Sequence, residues 1–252
     1  MTWRLEVRPL TAFPKDGNHE QQSKAEWEIQ KAVQMHQRVW GPDHAKVIAP
    51  ENVKQAVANN PKLQMAAFLV RDHPHKPGQK IERMLGAVTV ARFNSRKVPI
   101  DSHYEVIRRQ HNPNGNAISC FIVSVKPRLP KGVSREEVDQ LVKNAGMEKL
   151  VDLILKKVYL QAKRMFRNRE LQTMYAWSTP GKDIHRKSGI PMGAVATLKE
   201  VQAHLDEGNN AIIHGTHVRL GAKIDGIEIG GRPSTPYLPG AGALVRMKYR
   251  LV

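Results

Sequence analysis

ISCFIVSV, residues 118–125, is the most apolar stretch of the chain: Ile118, Cys120, Phe121, Ile122, Val123 and Val125 leave only two serines between them. A strand wetted on one face alternates apolar and polar residues, whereas a near-continuous apolar run needs cover on both faces. The stretch therefore predicts a central strand, with helices packed above and below its sheet.

Upstream of that strand, residues 65–70 and 85–93 are apolar, β-rich runs separated by a Pro, Gly and His loop over 72–80, which reads as a hairpin or meander. Residues 4–7 read as a short first strand. Helical spacing over 23–40 puts Ile29, Val33, His36 and Trp40 on one face, up to a stop at Gly41 and Pro42, and residues 51–58 read as a second helix. Downstream, Ser134 and Glu137 make a capping-box pattern that starts a short helix. Beyond Gly146, residues such as Leu150, Ile154, Val158, Ala162 and Met165 recur at helical spacing and predict an amphipathic helix of several turns lying on the sheet. Residues 171–177 read as another strand, 182–187 and 198–205 as short helices, and 218–229 and 243–251 as strand-like runs between Gly-rich turns.

A chain of 252 residues with 40% hydrophobic content can bury a sizeable core. It is expected to form one enlarged domain over 1–252, with residues 1–60 adding a strand and helices to a core over 61–252. No window approaches the roughly 18 consecutive apolar residues of a membrane helix, and Met1, Thr2, Trp3 and Arg4 do not begin a secretory signal, so a cytoplasmic protein without a membrane span is expected. Cys120 is the single cysteine, which excludes an intramolecular disulfide and a cysteine metal cluster. In its apolar run it reads as a small buried hydrophobe.

Charge is the strongest compositional signal, with 40 Lys+Arg against 23 Asp+Glu, a net +17. Such a surface attracts nucleic acid, anionic lipid, phosphorylated cofactors or acidic proteins, and argues against polycationic substrates such as aminoglycosides. Nucleic acid is weakened as a reading because the basic residues are scattered and no nucleic-acid-binding motif is visible. The long basic stretch over 156–169 lies along the predicted long helix as its solvated face. His214 and His217 are three apart, with no carboxylate or third ligand at telling distance, so no metal is expected.

An order of strands, a central strand, a long helix, another strand, a short helix and a closing hairpin resembles the GNAT (N-acetyltransferase) superfamily over most of residues 60–252. That resemblance implies a mixed α/β (α+β) fold: a mostly antiparallel sheet with flanking helices, in which the central strand and the next one splay apart. It implies that the exposed backbone of the central strand, here Phe121, Ile122, Val123, Ser124 and Val125, pairs with the pantetheine amides of acetyl-CoA or another acyl-CoA. It also implies a phosphate loop of the form Arg/Gln-x-x-Gly-x-Gly/Ala, in which backbone N–H groups and the helix dipole hold the pyrophosphate. Two stretches compete for that place. Lys143, Asn144 and Gly146 lie before the long helix, with Glu148 where a small residue is usual; Arg128, Lys131 and Gly132 directly follow the strand. The plainer reading of Gly146 is a helix cap.

Where the superfamily reads Tyr-x-x-x-Gly-Phe, this chain has His185, Arg186, Lys187, Ser188, Gly189 and Ile190. His185 would then be the acid that protonates the departing CoA thiolate. The C-terminal block, His217-Val-Arg-Leu-Gly221-Ala222, then Gly231-Arg232-Pro233 and Gly240-Ala-Gly242, resembles a subgroup that includes the decarboxylating, GNAT-like loading domains of polyketide synthases and related stand-alone acyltransferases. In that subgroup the positions of His217 and Arg232 face the acyl thioester or its carboxylate, aided by a hydroxyl that would here be Ser178 or Thr179. Gly231 replaces a tyrosine of that pattern, and Ser234 or Thr235 an aspartate.

A neutral imidazole can donate to a thioester oxygen, a guanidinium can pair a carboxylate with two prongs, and a hydroxyl can support an oxyanion. Asp183 and Glu82 are further candidate bases for an acceptor amine. The expected activity is acyl transfer from CoA to an amine or thiol on a small molecule or carrier protein, the partner being anionic or acidic. The alternatives are decarboxylation of a malonyl-type CoA with loading of a carrier protein, and a basic nucleic-acid-associated module with a degenerate CoA site.

Overall fold

The structure, a computed structural model, describes residues 2–14, 16, 18–41, 49–95, 112–126, 128–230 and 242–251. Arg232 and its neighbours Gly231, Ser234 and Thr235 lie outside the described residues, as do the side chains of Trp40, Phe121 and Ile122. The elements run β1 (Arg4–Pro9), α1 (His19–Trp40), α2 (Pro50–Asn59), β2 (Met65–Asp72), β3 (Lys80–Phe93), β4 (Ala117–Val125), α3 (Arg135–Asn144), α4 (Leu150–Arg167), β5 (Thr173–Ser178), α5 (Lys182–Ser188), α6 (Leu198–Asp206), a π-helix (Ile213–Val218), β6 (Ala222–Ile229) and β7 (Ala243–Tyr249). The strands form one sheet in the order β1-β2-β3-β4-β5-β7-β6. This is the mixed, mostly antiparallel sheet with flanking helices that the sequence predicts, with β4 and β5 as its parallel pair.

Contacts group the chain into two compact units, residues 1–90 with 122–161 and residues 91–121 with 162–252; β3, β4 and α4 pass from one to the other. In the first unit β1 pairs antiparallel with β2, Arg4 opposite Val70 and Pro9 opposite Met65. β2 pairs antiparallel with β3 across a bulge, where Ala67 faces Gly86 and Phe68 faces Met84. The bulge lets β3 carry a polar start, Lys80 to Arg83, and a fully buried run from Met84 to Ala91. That polar start is why residues 80–84 did not read as strand. α1 starts where Asn18 accepts a hydrogen bond from the Gln21 N–H at 3.0 Å and stops at Gly41, whose φ of 79° suits glycine. Its buried stripe is Ala25, Ile29, Ala32, Val33 and His36.

α1 and α4 cover opposite faces of the β3–β4 part of the sheet. The Ser124 side chain meets His36 of α1. Next along the strand, Val125 lies on the face where Gly86 meets Ile154 of α4, and a Cβ on Gly86 would stand 2.6 Å from Ile154 Cδ1 and 3.1 Å from the Ser124 carbonyl oxygen. Glycine is what lets the helix lie this close to the strands. The charged side of α4 includes the exposed Lys157, Arg164 and Arg167, as the basic stretch predicted.

In the second unit β5 pairs antiparallel with β7, Met174 opposite Tyr249 and Ser178 opposite Val245, and β7 pairs antiparallel with β6. The strand expected from residue 218 begins instead at Ala222. The residues before it form the π-helix, whose i→i−5 hydrogen bonds include Arg219 N–H to the His214 carbonyl at 3.1 Å. No helix among the described residues is long and apolar enough to cross a membrane.

Candidate functional site

The centre of interest is the end of β4. Ala117, Ile118, Ser119 and Cys120 pair in parallel with Thr173, Met174, Tyr175 and Ala176 of β5, and among the described residues that register runs as far as Cys120. β4 runs on to Val125. Consecutive burial of Ile118, Ser119 and Cys120 confirms cover on both faces of its first half. The Cys120 thiol is pushed up to about 12 by burial, which removes it as a nucleophile.

The far half of β4 is held from the α1 side by a buried polar triad. Ser124 Oγ lies 2.7 Å from His36 Nδ1, and Thr89 Oγ1 of β3 lies 3.2 Å from His36 Nε2. Burial brings His36 down to about 3, so the ring is neutral and has one N–H. One hydroxyl must therefore donate to the ring and the other accept from it. The triad ties α1, β3 and β4 together; Ser124 is itself 1% exposed, so its hydroxyl is committed to this packing. Lys126 N–H donates to the Leu85 carbonyl at 2.8 Å, continuing the β3 contact past the strand end.

The two candidate phosphate loops fall in different places within the first unit. Lys131 and Gly132 are exposed on a tight turn in which the Val133 N–H donates to the Pro130 carbonyl, with Gly132 at φ 78°. Arg128, before that turn, lines a cavity with α1 and β3. Lys143 and Asn144 end α3, and Gly146 at φ 73° lets the chain close on itself, the Met147 N–H reaching the Val142 carbonyl. Gly146 is thus a helix cap in the sense of the plainer reading. It also leads towards α4, at whose start the Lys149 carbonyl accepts from the Asp152 and Leu153 N–H groups.

The second unit carries the other candidates. His217 is 5% exposed, and its Nδ1 lies 2.6 Å from the Tyr249 hydroxyl, the rings meeting edge to face. Burial lowers His217 to about 4. If the phenol donates to Nδ1, the ring proton sits on Nε2, where it can be given to a carbonyl oxygen. The π-helix that carries His217 is built on Asn210. Its side-chain oxygen accepts from the Ile212 and Ile213 N–H groups, and its amide donates to the Pro180 carbonyl at 2.8 Å. A Cβ on Gly181 would come within 2.6 Å of Ile212 Cδ1, so the same loop needs glycine beside the helix.

Ser178 ends β5 and Thr179 follows it, both half-buried, directly before that Pro180 anchor. Tyr249 stands opposite Met174, four residues earlier on β5, a backbone separation of ~13 Å from Ser178. His185 is buried near the end of α5 and its Nδ1 donates to the Ile190 carbonyl at 2.9 Å, closing the turn through Gly189. Asp183 accepts from the Ala211 N–H and Arg186, and Glu82 pairs Arg8 and Lys24 in the first unit; both candidate bases are thus engaged. Sequence reasoning missed the Tyr249 partnership of His217. Tyr249 lies 32 residues away, and only the pairing of β6 and β7 brings the π-helix exit beside the chain end. Among the described residues no group of three or more His, Cys, Asp or Glu is placed to hold a metal.

The chain matches no protein-family model and no curated protein. Solved structures do resemble it. The GphF GNAT-like decarboxylase in complex with isobutyryl-CoA is similar at 18% identity, covering 90% of this chain and 96% of that one, with a TM-score of 0.58. The loading GNATL domain of CurA from Lyngbya majuscula is similar at 14% identity over 98% of each chain, with a TM-score of 0.51. Near-complete coverage at this identity speaks to architecture alone. The fold of this chain is that of the GNAT superfamily.

Proposed function

We propose that the protein is an acyl-CoA-dependent acyltransferase that docks the pantetheine arm along the backbone of Phe121 to Val125 and transfers its acyl group to an amine or thiol. The observation that supports this reading is the register of β4, which among the described residues pairs with β5 as far as Cys120 while the strand continues to Val125. Strand amides aligned at a fixed spacing can hold an extended chain by main-chain hydrogen bonds. The N-terminus of α4, directly preceded by Lys149, is proposed to present its positive dipole end to phosphate.

In the reaction the acceptor's lone pair attacks the thioester carbonyl, the acyl–sulfur bond breaks, the acceptor loses a proton and the CoA thiolate gains one. His217 with Tyr249 is the proposed proton-handling pair. A ring at about 4 is neutral throughout the physiological range, so it polarises a carbonyl or relays a proton without carrying charge into the site. Ser178 and Thr179 at the end of β5 are proposed to face the developing oxyanion, Arg232 to pair an acyl carboxylate, and His185 to give the leaving thiolate a proton from Nε2, which must carry one in addition to the Nδ1 proton held by Ile190.

A second reading, decarboxylation of a malonyl-type CoA before transfer to a carrier protein, is favoured by the His217 block and by the likeness to a GNAT-like decarboxylase and a loading GNATL domain. There the bond to the carboxylate carbon breaks, carbon dioxide leaves, and the electron pair enters a thioester enolate that must be stabilised and then protonated. The +17 charge fits an acidic carrier.

Incubation with acetyl-CoA or malonyl-CoA and a panel of amine and thiol acceptors, following free thiol and carbon dioxide, separates the readings. Acceptor-dependent thiol release marks direct transfer; carbon dioxide from malonyl-CoA without an acceptor marks decarboxylation. His217→Ala and Tyr249→Phe are each expected to cost about 100-fold in rate, and the double variant little more than either. Release of thiol with neither acceptor nor carbon dioxide would contradict both readings.

A further inference from the structure

Five cationic side chains converge on one cavity of about 630 Å³ in the first unit: Lys31 and Arg38 from α1, Arg83 from β3, and Lys126 and Arg128 from the segment after β4. Lys31 and Arg38 are seven apart, so they share a face of α1 two turns from each other. Among the described residues no carboxylate lines the cavity. The nearest acids on the same elements are already engaged. Glu28 of α1 binds Arg8 at 2.8 Å and the Thr11 N–H at 2.6 Å, and Glu82, beside Arg83, binds Arg8 at 3.1 Å and Lys24 at 3.3 Å. Among the described residues none of the five cavity cations forms an ion pair. Lys126 is half-buried, and its pKa is lowered, first by burial and then by facing Lys31, Arg38 and Arg83.

A fold that holds like charges together without a counter-charge carries a standing repulsion, which a bound anion relieves. The composition of the walls narrows the anion. Three guanidiniums offer planar forks that match phosphate oxygens two at a time. The volume far exceeds one phosphate group, and Trp27, Met35 and Met84 provide apolar surface for an organic body.

We infer that this cavity is a binding site for an organic phosphate, a phosphate or pyrophosphate ester with an apolar or planar body. The site lies on the α1 face of the strands, whereas the helix N-terminus offered to phosphate above belongs to α4 on the opposite face. Its ligand is therefore either the nucleotide end of a CoA ester bound across the strand end, or the phosphate of a separate acceptor. The site does not rest on the acyl-CoA reading, because inorganic pyrophosphate probes it alone.

Isothermal titration with inorganic pyrophosphate in phosphate-free, low-salt buffer tests it. Lys31→Gln and Arg83→Gln are each expected to weaken binding about tenfold, as loss of a hydrogen bond to a charged group does, and the double variant more. Arg164→Gln and Arg167→Gln, on the exposed face of α4, serve as controls and should stay within about twofold. Relief of repulsion should leave the cavity variants melting at or above the wild-type temperature, which separates lost binding from lost folding. Repeating the titration with saturating acetyl-CoA distinguishes the sources: displaced pyrophosphate assigns the cavity to the CoA nucleotide, and undiminished binding assigns it to a separate phosphorylated ligand. If CoA itself fails to bind while pyrophosphate does, the acyl-CoA reading falls and this site stands. Equal weakening by cavity and control variants, or no pyrophosphate heat, overturns the inference.

Discussion

His36 and His217 are both buried and both held neutral, at about 3 and about 4 against an ordinary value of 6.5. Their folded pKa values lie below the unfolded one, so the unfolded chain takes up protons that the fold refuses. Stability is therefore full above about pH 6.5 and is lost as pH falls towards 4, with a slope near 1.4 kcal/mol per pH unit for each histidine. Thermal melts at pH 7.5 and pH 5 should show a marked drop in midpoint, and His36→Asn should flatten the profile by about half. A midpoint independent of pH over that interval would contradict the neutral, buried assignment. The residue scale is also where the sequence was least informative. His36 read correctly as part of the buried face of α1, but its hydroxyl partners lie 53 and 88 residues away. The five cavity cations come from three elements, and among them only Arg128 stood in a recognisable motif.

Elements with a strong period were legible. β4 announced its double burial by unbroken apolarity, and α4 by its apolar stripe, because both signals are written in neighbouring residues. The π-helix was not, since an i→i−5 turn leaves no side-chain period and here depends on Asn210 bridging to Pro180. Gly86 shows the same divide: in the sequence it is one glycine in a strand, and only the fold reveals Ile154 where its side chain would be. Gly86→Ala is expected to destabilise by about 1–3 kcal/mol, because Ile154 is fully buried and the Ser124 carbonyl is fixed in the strand. Ile154→Val removes the clashing methyl, so the double variant should recover part of the loss. A Gly86→Ala protein melting at or above wild type would show that α4 is not packed this tightly on the strands.

For the whole molecule, the mixed sheet and its resemblance to GNAT structures leave a choice that the +17 charge sharpens: a phosphorylated co-substrate docked in a specific place, or a polyanion held by the surface at large. Salt separates them, since surface attraction to a polyanion weakens steeply as ions are added, whereas hydrogen bonds and apolar contacts along a strand do not. Titration calorimetry with acetyl-CoA in about 0.05 M and about 0.5 M salt tests the claim that β4 docks the thioester arm. The expected result is a single binding site that persists in the higher salt with an affinity reduced no more than about tenfold. No heat in either buffer, or heat that vanishes with salt, would contradict an acyl-CoA site on this strand.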